Sequence, residues 1–268
     1  MPAVLAAFIR RDWRIDLSYR AAFGLRAVSL LLSLALFYYL GRVVDDSAFT
    51  DQGYSDTAGY FGYVAIGLAT FTVIQTSLIS FSRKLREEQT TGTFEALMTT
   101  PASPSVIILS SAAYEIIRAT IDGLLILLAA VVIFGLDLDI DPGGVAVALV
   151  TLAAALALFA SLGVAVAALT VLFKRTTALL TLIMSAIALL SGVYFPVDVL
   201  PGWLQTVADV IPFTWTLDLL RASLLGGDVD AGRLIGLVAS VVVLLPLALS
   251  FFGWTLRRAK RTGSLALY

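Results

Sequence analysis

Six long apolar stretches, at residues 24–44, 58–82, 105–136, 144–173, 176–197 and 232–256, are separated by polar links whose charge alternates in sign along the chain. A bilayer core about 30 Å thick needs roughly 20 mostly apolar residues per spanning helix at 1.5 Å rise each. The pattern therefore predicts an all-α integral membrane domain with six spans. Composition agrees: 14% of the 268 residues are charged, well below the roughly 25% of a soluble domain.

The cations set the expected orientation. Arg10, Arg11, Arg14, Arg20 and Arg26 precede or open the first stretch, and Arg83, Lys84 and Arg86 follow the second. Lys174 and Arg175 separate the fourth from the fifth, and Arg257, Arg258, Lys260 and Arg261 follow the sixth. These are fourteen of the eighteen basic residues. The alternate links hold only Arg42, Arg221 and Arg233 and carry Asp45, Asp46, Asp51, Asp56, Asp137, Asp139 and Asp141, with Arg118 left inside the third stretch. An excess of cations marks the cytoplasmic side, so both termini are expected there. The first stretch ends in Tyr38, Tyr39, Leu40, Gly41 and Arg42 without a small-x-small cleavage pattern, which makes it a span and not a signal peptide.

Residues 1–23 read as an interfacial segment with a helix over 3–18. Leu5, Phe8, Ile9 and Trp13 share one side, with Arg10, Arg11 and Arg14 opposite. Asp12 and Asp16 project near the apolar side. Either that side faces protein and not lipid, or the helix ends earlier.

The chain contains no Cys and no His, which excludes disulfides, thiol nucleophiles, the usual zinc sites and His-dependent triads within it. It also lacks a Gly-x4-Gly-Lys-Ser/Thr loop for nucleotide phosphates. Neither a metal site nor a catalytic residue is expected, and no nucleic-acid partner.

Within the third stretch Glu115, Arg118 and Asp122 lie three and four residues apart, on one helical face, where mutual pairing is geometrically natural. A lone charge at mid-bilayer costs roughly 2.5–3.5 kcal/mol on insertion scales, so these residues should face protein or water. They read either as a structural or gating ion network or as the ion relay of a secondary transporter. Thr70, Thr72, Gln75, Thr76 and Ser77 on the second stretch, and Thr177, Thr181 and Ser185 on the fifth, suit helix packing or a polar path.

After the second stretch, residues 85–100 read as a short amphipathic helix. Thr91 or Thr93 can cap it, Glu95 places an anion in its first turn, and Pro101 and Pro104 stop it. In the expected external link 198–230, Pro196, Pro201 and Pro212 break the helix into two short amphipathic pieces that end at Gly226 and Gly227.

The run Glu87-Glu88-Gln89-Thr90-Thr91-Gly92-Thr93-Phe94-Glu95 with Leu97 and Thr100-Pro101, and the segment Ser191-Gly192-Val193-Tyr194-Phe195-Pro196 with Leu200-Pro201, resemble the permease subunits of ABC exporters of the second type. Phe94 stands where that pattern usually has Leu. The resemblance implies that 85–100 is a coupling helix resting on a separate ATP-binding subunit, with Glu87, Glu88, Gly92, Thr93, Phe94 and Glu95 as contacts and Lys174 and Arg175 as a minor second contact. It implies that the cofactors, ATP and Mg, are bound by that partner and none by this chain. It further implies a second copy of the chain or a homologous permease, a re-entrant cap over 198–230, and a substrate path touching Gln75, Thr76, Phe195 and Pro196. A bacterial inner-membrane location and an amphipathic or lipid-linked cargo complete the expectation.

Overall fold

A computed structural model describes residues 2–18, 20–43, 59–90, 104–172 and 177–262. All regular structure in them is helical. The elements are α1 (Pro2–Ser18), α2 (Arg20–Gly41), α3 (Gly59–Thr90), α4 (Pro104–Val132), α5 (Pro142–Leu172), α6 (Thr177–Leu190), α7 (Gly202–Val210), α8 (Pro212–Leu225) and α9 (Ala231–Thr262), with a 3-10 turn at Val197–Val199 before α7.

Helix α3 is the axis. Two thirds of its apolar span, 67%, is buried, against 6% for that of α2 and 11% for that of α9. Ala65, Ile66, Ala69, Val73, Ile74, Leu78 and Phe81 put its apolar side chains against α4 and α5. Lipid offers helices no hydrophobic reason to associate, so close backbone approach through small residues supplies the contact. Gly163 of α5 shows it: a Cβ there would stand 2.8 Å from the carbonyl oxygens of both Ser77 and Leu78. Leu25, Leu32 and Leu36 on α2, Leu124 and Leu128 on α4, and Val242 and Leu247 on α9 are exposed, as lipid-facing positions are.

Among the described residues four helices are long and apolar enough to cross a membrane: Gly24–Gly41, Gly59–Lys84, Pro142–Leu169 and Ala231–Thr255. Two of the six expected stretches differ. Helix α4 has the length, 29 residues, but carries Glu115, Arg118 and Asp122. The fifth stretch, expected over 176–197, is helical only to Leu190, because Gly192 takes a left-handed φ of 76° and the chain turns away. A second departure concerns 85–100: α3 runs unbroken through Thr90, so residues 85–90 continue the second stretch's helix and do not start a new one. Residues 91–100 lie outside the described residues.

The segment after α6 folds back on the bundle. Pro212 opens α8 at a position where its missing N–H costs nothing, and Gly226, at φ 81°, closes it. Trp215 donates its indole N–H to the Asp209 carbonyl at 2.7 Å and so fixes the bend between α7 and α8. Helix α8 packs mainly on α5, while α7 exposes Trp203, Val207 and Val210 on one side.

Candidate functional site

Charged side chains meet α3 at two places separated by the 21 residues from Tyr63 to Lys84. At 1.5 Å per residue that is about 31 Å of helix, the thickness of a bilayer core.

The first place is an ion-pair network at the α1 end. Lys84 lies 3.1 Å from Glu87, 3.5 Å from Glu115 and 3.7 Å from Asp12. Arg83 also pairs with Glu115, and Arg26 of α2 pairs with Asp122. Asp16 accepts from the Tyr114 hydroxyl at 2.7 Å and from Arg118 at 2.6 Å. Asp12, Lys84, Glu115 and Asp122 are buried. Glu115, Arg118 and Asp122, expected to pair with one another, instead take their ion-pair partners from elsewhere. Each of the three finds its opposite charge on a different helix, because one face of α4 meets α3, α1 and α2 in turn.

The same contacts explain the two aspartates on the apolar side of α1. Part of that side faces protein: Phe8 and Asp12 are buried and Trp13 meets the Tyr114 ring edge-on at 6.5 Å, while Leu5 and the rest of Trp13 are exposed, and the helix continues to Ser18. Burial opposes ionisation of Asp16, but the hydrogen bonds from Tyr114 and Arg118 and the nearby positive charges prevail and hold its carboxyl below the ordinary 3.8. A depressed acid contributes fully above its unfolded value and loses that contribution as pH falls through the folded one. Docking of α1 through Asp16 is therefore expected to be unchanged from pH 7 to about pH 5 and to weaken below about pH 4. Fluorescence of Trp13, with Trp203, Trp215 and Trp254 replaced by Phe, reads it. An Asp16→Asn variant should lack that acidic transition.

The second place is Arg221 on α8, a residue whose role the sequence analysis did not identify. Its side chain is fully buried. The guanidinium stacks on the Tyr63 ring and donates to the Tyr63 carbonyl from Nε at 3.2 Å and from Nη2 at 3.1 Å. Nη2 also donates to the Gly192 carbonyl at 2.8 Å. One side chain thus ties α8 to α3 and to the turn that ends α6. Room for it comes from Gly67, where a Cβ would lie 2.8 Å from Nη2 and 2.3 Å from the Val193 carbonyl oxygen. Asp218, one turn earlier, forms an ion pair with Arg233 of α9 and is close enough to Arg221 to feel its charge as well. The available signal was a lone cation in register with Phe213, Leu217 and Leu225 on the buried stripe of α8.

The remaining expected site residues scatter. Glu87 and Glu88 lie on the last turns of α3, with Glu87 exposed beside Lys84. Gly92, Thr93, Phe94, Glu95, Lys174 and Arg175 lie outside the described residues. Gln75 and Thr76 are half-buried midway along α3, and the Thr76 hydroxyl donates to its own helix at the Thr72 carbonyl. Phe195 is half-buried and Pro196 buried in the turn after α6, next to the carbonyls that receive Arg221. Among the described residues no group of three or more Asp and Glu side chains could hold a metal ion.

Comparison with known proteins adds an independent line. The sequence profile of the ABC-2 type transporter family matches residues 3–225, a stretch that contains both charged places. Nodulation protein J of Rhizobium leguminosarum bv. trifolii is 31% identical over 191 residues, covering 70% of this chain and 69% of that protein. Nodulation protein J of Rhizobium meliloti (strain 1021) is 29% identical over 185 residues, covering 68% and 67%.

Proposed function

Because the chain belongs to the ABC-2 type transporter family, we propose that it is the permease subunit of an ATP-driven exporter that moves an amphipathic or lipid-linked substrate out of the cytoplasm. As a member of that family it is the membrane subunit of a transporter. A separate nucleotide-binding subunit supplies the energy, and a second copy or a homologous permease completes the path. The chain crosses a bacterial inner membrane six times, with α4 and α6 as the third and fifth spans and the α1 end cytoplasmic. The charges of α4 fit this reading because each is paired across the bundle.

The observation that carries the reading is the network on the last turns of α3. Arg83, Lys84 and Glu87 are joined directly or through Glu115 to α1 and α4 immediately ahead of residues 91–100, where the docking contacts are expected. A push on that link would reach three helices together.

The test is co-expression with an ABC ATPase and reconstitution of the complex in vesicles. Glu95→Ala is expected to leave the complex assembled while transport and substrate-stimulated ATP hydrolysis fall to basal rates. Collapse of the proton gradient should leave ATP-driven transport running. It would stop a carrier in which Glu115, Arg118 and Asp122 relay ions. Uphill pumping by the purified chain without an ATPase overturns the proposal.

A further inference from the structure

We propose that the cleft between α4 and α5 binds the acyl chain of a phospholipid from the leaflet adjoining α8. Both helices pack along α3, and between them lies a cavity of about 190 Å³ floored by Val73, walled by Gly123 and Ala148, and roofed by Leu224 of α8. Leu124 and Leu149 stand at its open side, 56% and 63% exposed.

Three features select hydrocarbon as the occupant. The lining is apolar, and the two hydroxyls within it are engaged elsewhere: Thr70 donates to the Ile66 carbonyl at 2.8 Å and Thr120 to the Ile116 carbonyl at 2.9 Å. A polar head group would find no partner there. An enclosed apolar cavity of about 150 Å³ stays dry and takes up hydrocarbon; this cleft, of about 190 Å³, has the same apolar character and opens past Leu124 and Leu149 to the surrounding medium. Its depth fits: Val73 is ten residues, or about 15 Å, along α3 from Tyr63, which is half a hydrocarbon core. At that depth the medium against Leu124 and Leu149 is acyl chain.

An occupant would also support α8 from below. Leu220 and Leu224 meet the cavity, and the same helix carries Arg221. The inference rests on the chain lying in a bilayer and is independent of what it exports or what drives it.

The experiment is photolabelling of the full chain in nanodiscs containing a trace of phosphatidylethanolamine with a mid-chain diazirine, followed by peptide mapping. Adducts are expected on α4 and α5 around Leu124 and Leu149, in excess over the equally lipid-facing Val242 and Leu247 of α9. Ala148→Phe, which fills the cleft, should reduce them to the level at Val242 and Leu247 without moving the α9 adducts. Val145→Phe, at the same cleft, is the second filling variant should Ala148→Phe fail to fold. Labelling in simple proportion to exposure, or labelling unchanged by both fillings, overturns the proposal. So does disulfide formation between copies carrying Leu149→Cys with no lipid adduct in the cleft, which would assign it to a second copy; the native chain has no cysteine to interfere.

Discussion

Arg221→Met is expected to lower the stability of the bundle by about 1–3 kcal/mol, since it leaves the buried Gly192 carbonyl without its donor, while the Tyr63 carbonyl keeps the N–H it accepts within α3. Removing a buried charge can itself be favourable where both partners are replaced by apolar groups. Here the acceptors are backbone and stay. Arg221→Lys keeps the charge and part of the donor set but cannot reach two carbonyls from a planar fork, so an intermediate loss is expected. Thermal unfolding in nanodiscs measures both. Protease sensitivity at 191–196 should rise in the Met variant, because the turn after α6 loses its tie to α8. An unchanged unfolding temperature for Arg221→Met would mean that the guanidinium is not what holds α8 to α3.

Glu115→Lys should be more severe, about 3–5 kcal/mol, because it sets a third cation against Arg83 and Lys84 in a buried position. Glu115→Gln, which keeps the volume and loses the charge, should cost less, since Lys84 retains Asp12 and Glu87 and Arg83 is half exposed to solvent. The pairing is tested by reversal. Glu115→Lys combined with Lys84→Glu is expected to recover part of the loss, with a coupling of about 0.5–3 kcal/mol in a double-mutant cycle. Purely additive losses would show that Glu115 and Lys84 do not interact. In the reconstituted complex, Glu115→Gln should also weaken coupling between ATP hydrolysis and transport more than it weakens folding, as the network joins the end of α3 to α1 and α4.

Hydropathy and charge pattern made much of the chain legible in advance. The apolar stretches, the amphipathic N-terminal helix, the absence of a nucleotide loop and the proline-broken segment after 196 are all local properties of a string. The end of α6 at Leu190 was less accessible. Residues 191–197 are apolar enough to continue a span, yet they turn away where the Gly192 carbonyl receives a side chain from 29 residues downstream. Asp12 and Asp16 looked misplaced on an apolar face for a related reason, since α1 packs on α4, whose charges lie about a hundred residues away.

The division follows from range. Whether a segment can leave water is decided by its own residues, so the sequence by itself determined which parts of this chain are apolar and where cations collect. Which acid meets which base depends on the neighbours and rotation of each helix, and only the tertiary structure decided that. It separated Glu115, Arg118 and Asp122 onto three partners and enclosed Arg221 among backbone carbonyls, because a charge taken from water must be matched by whatever polar group packing brings within reach.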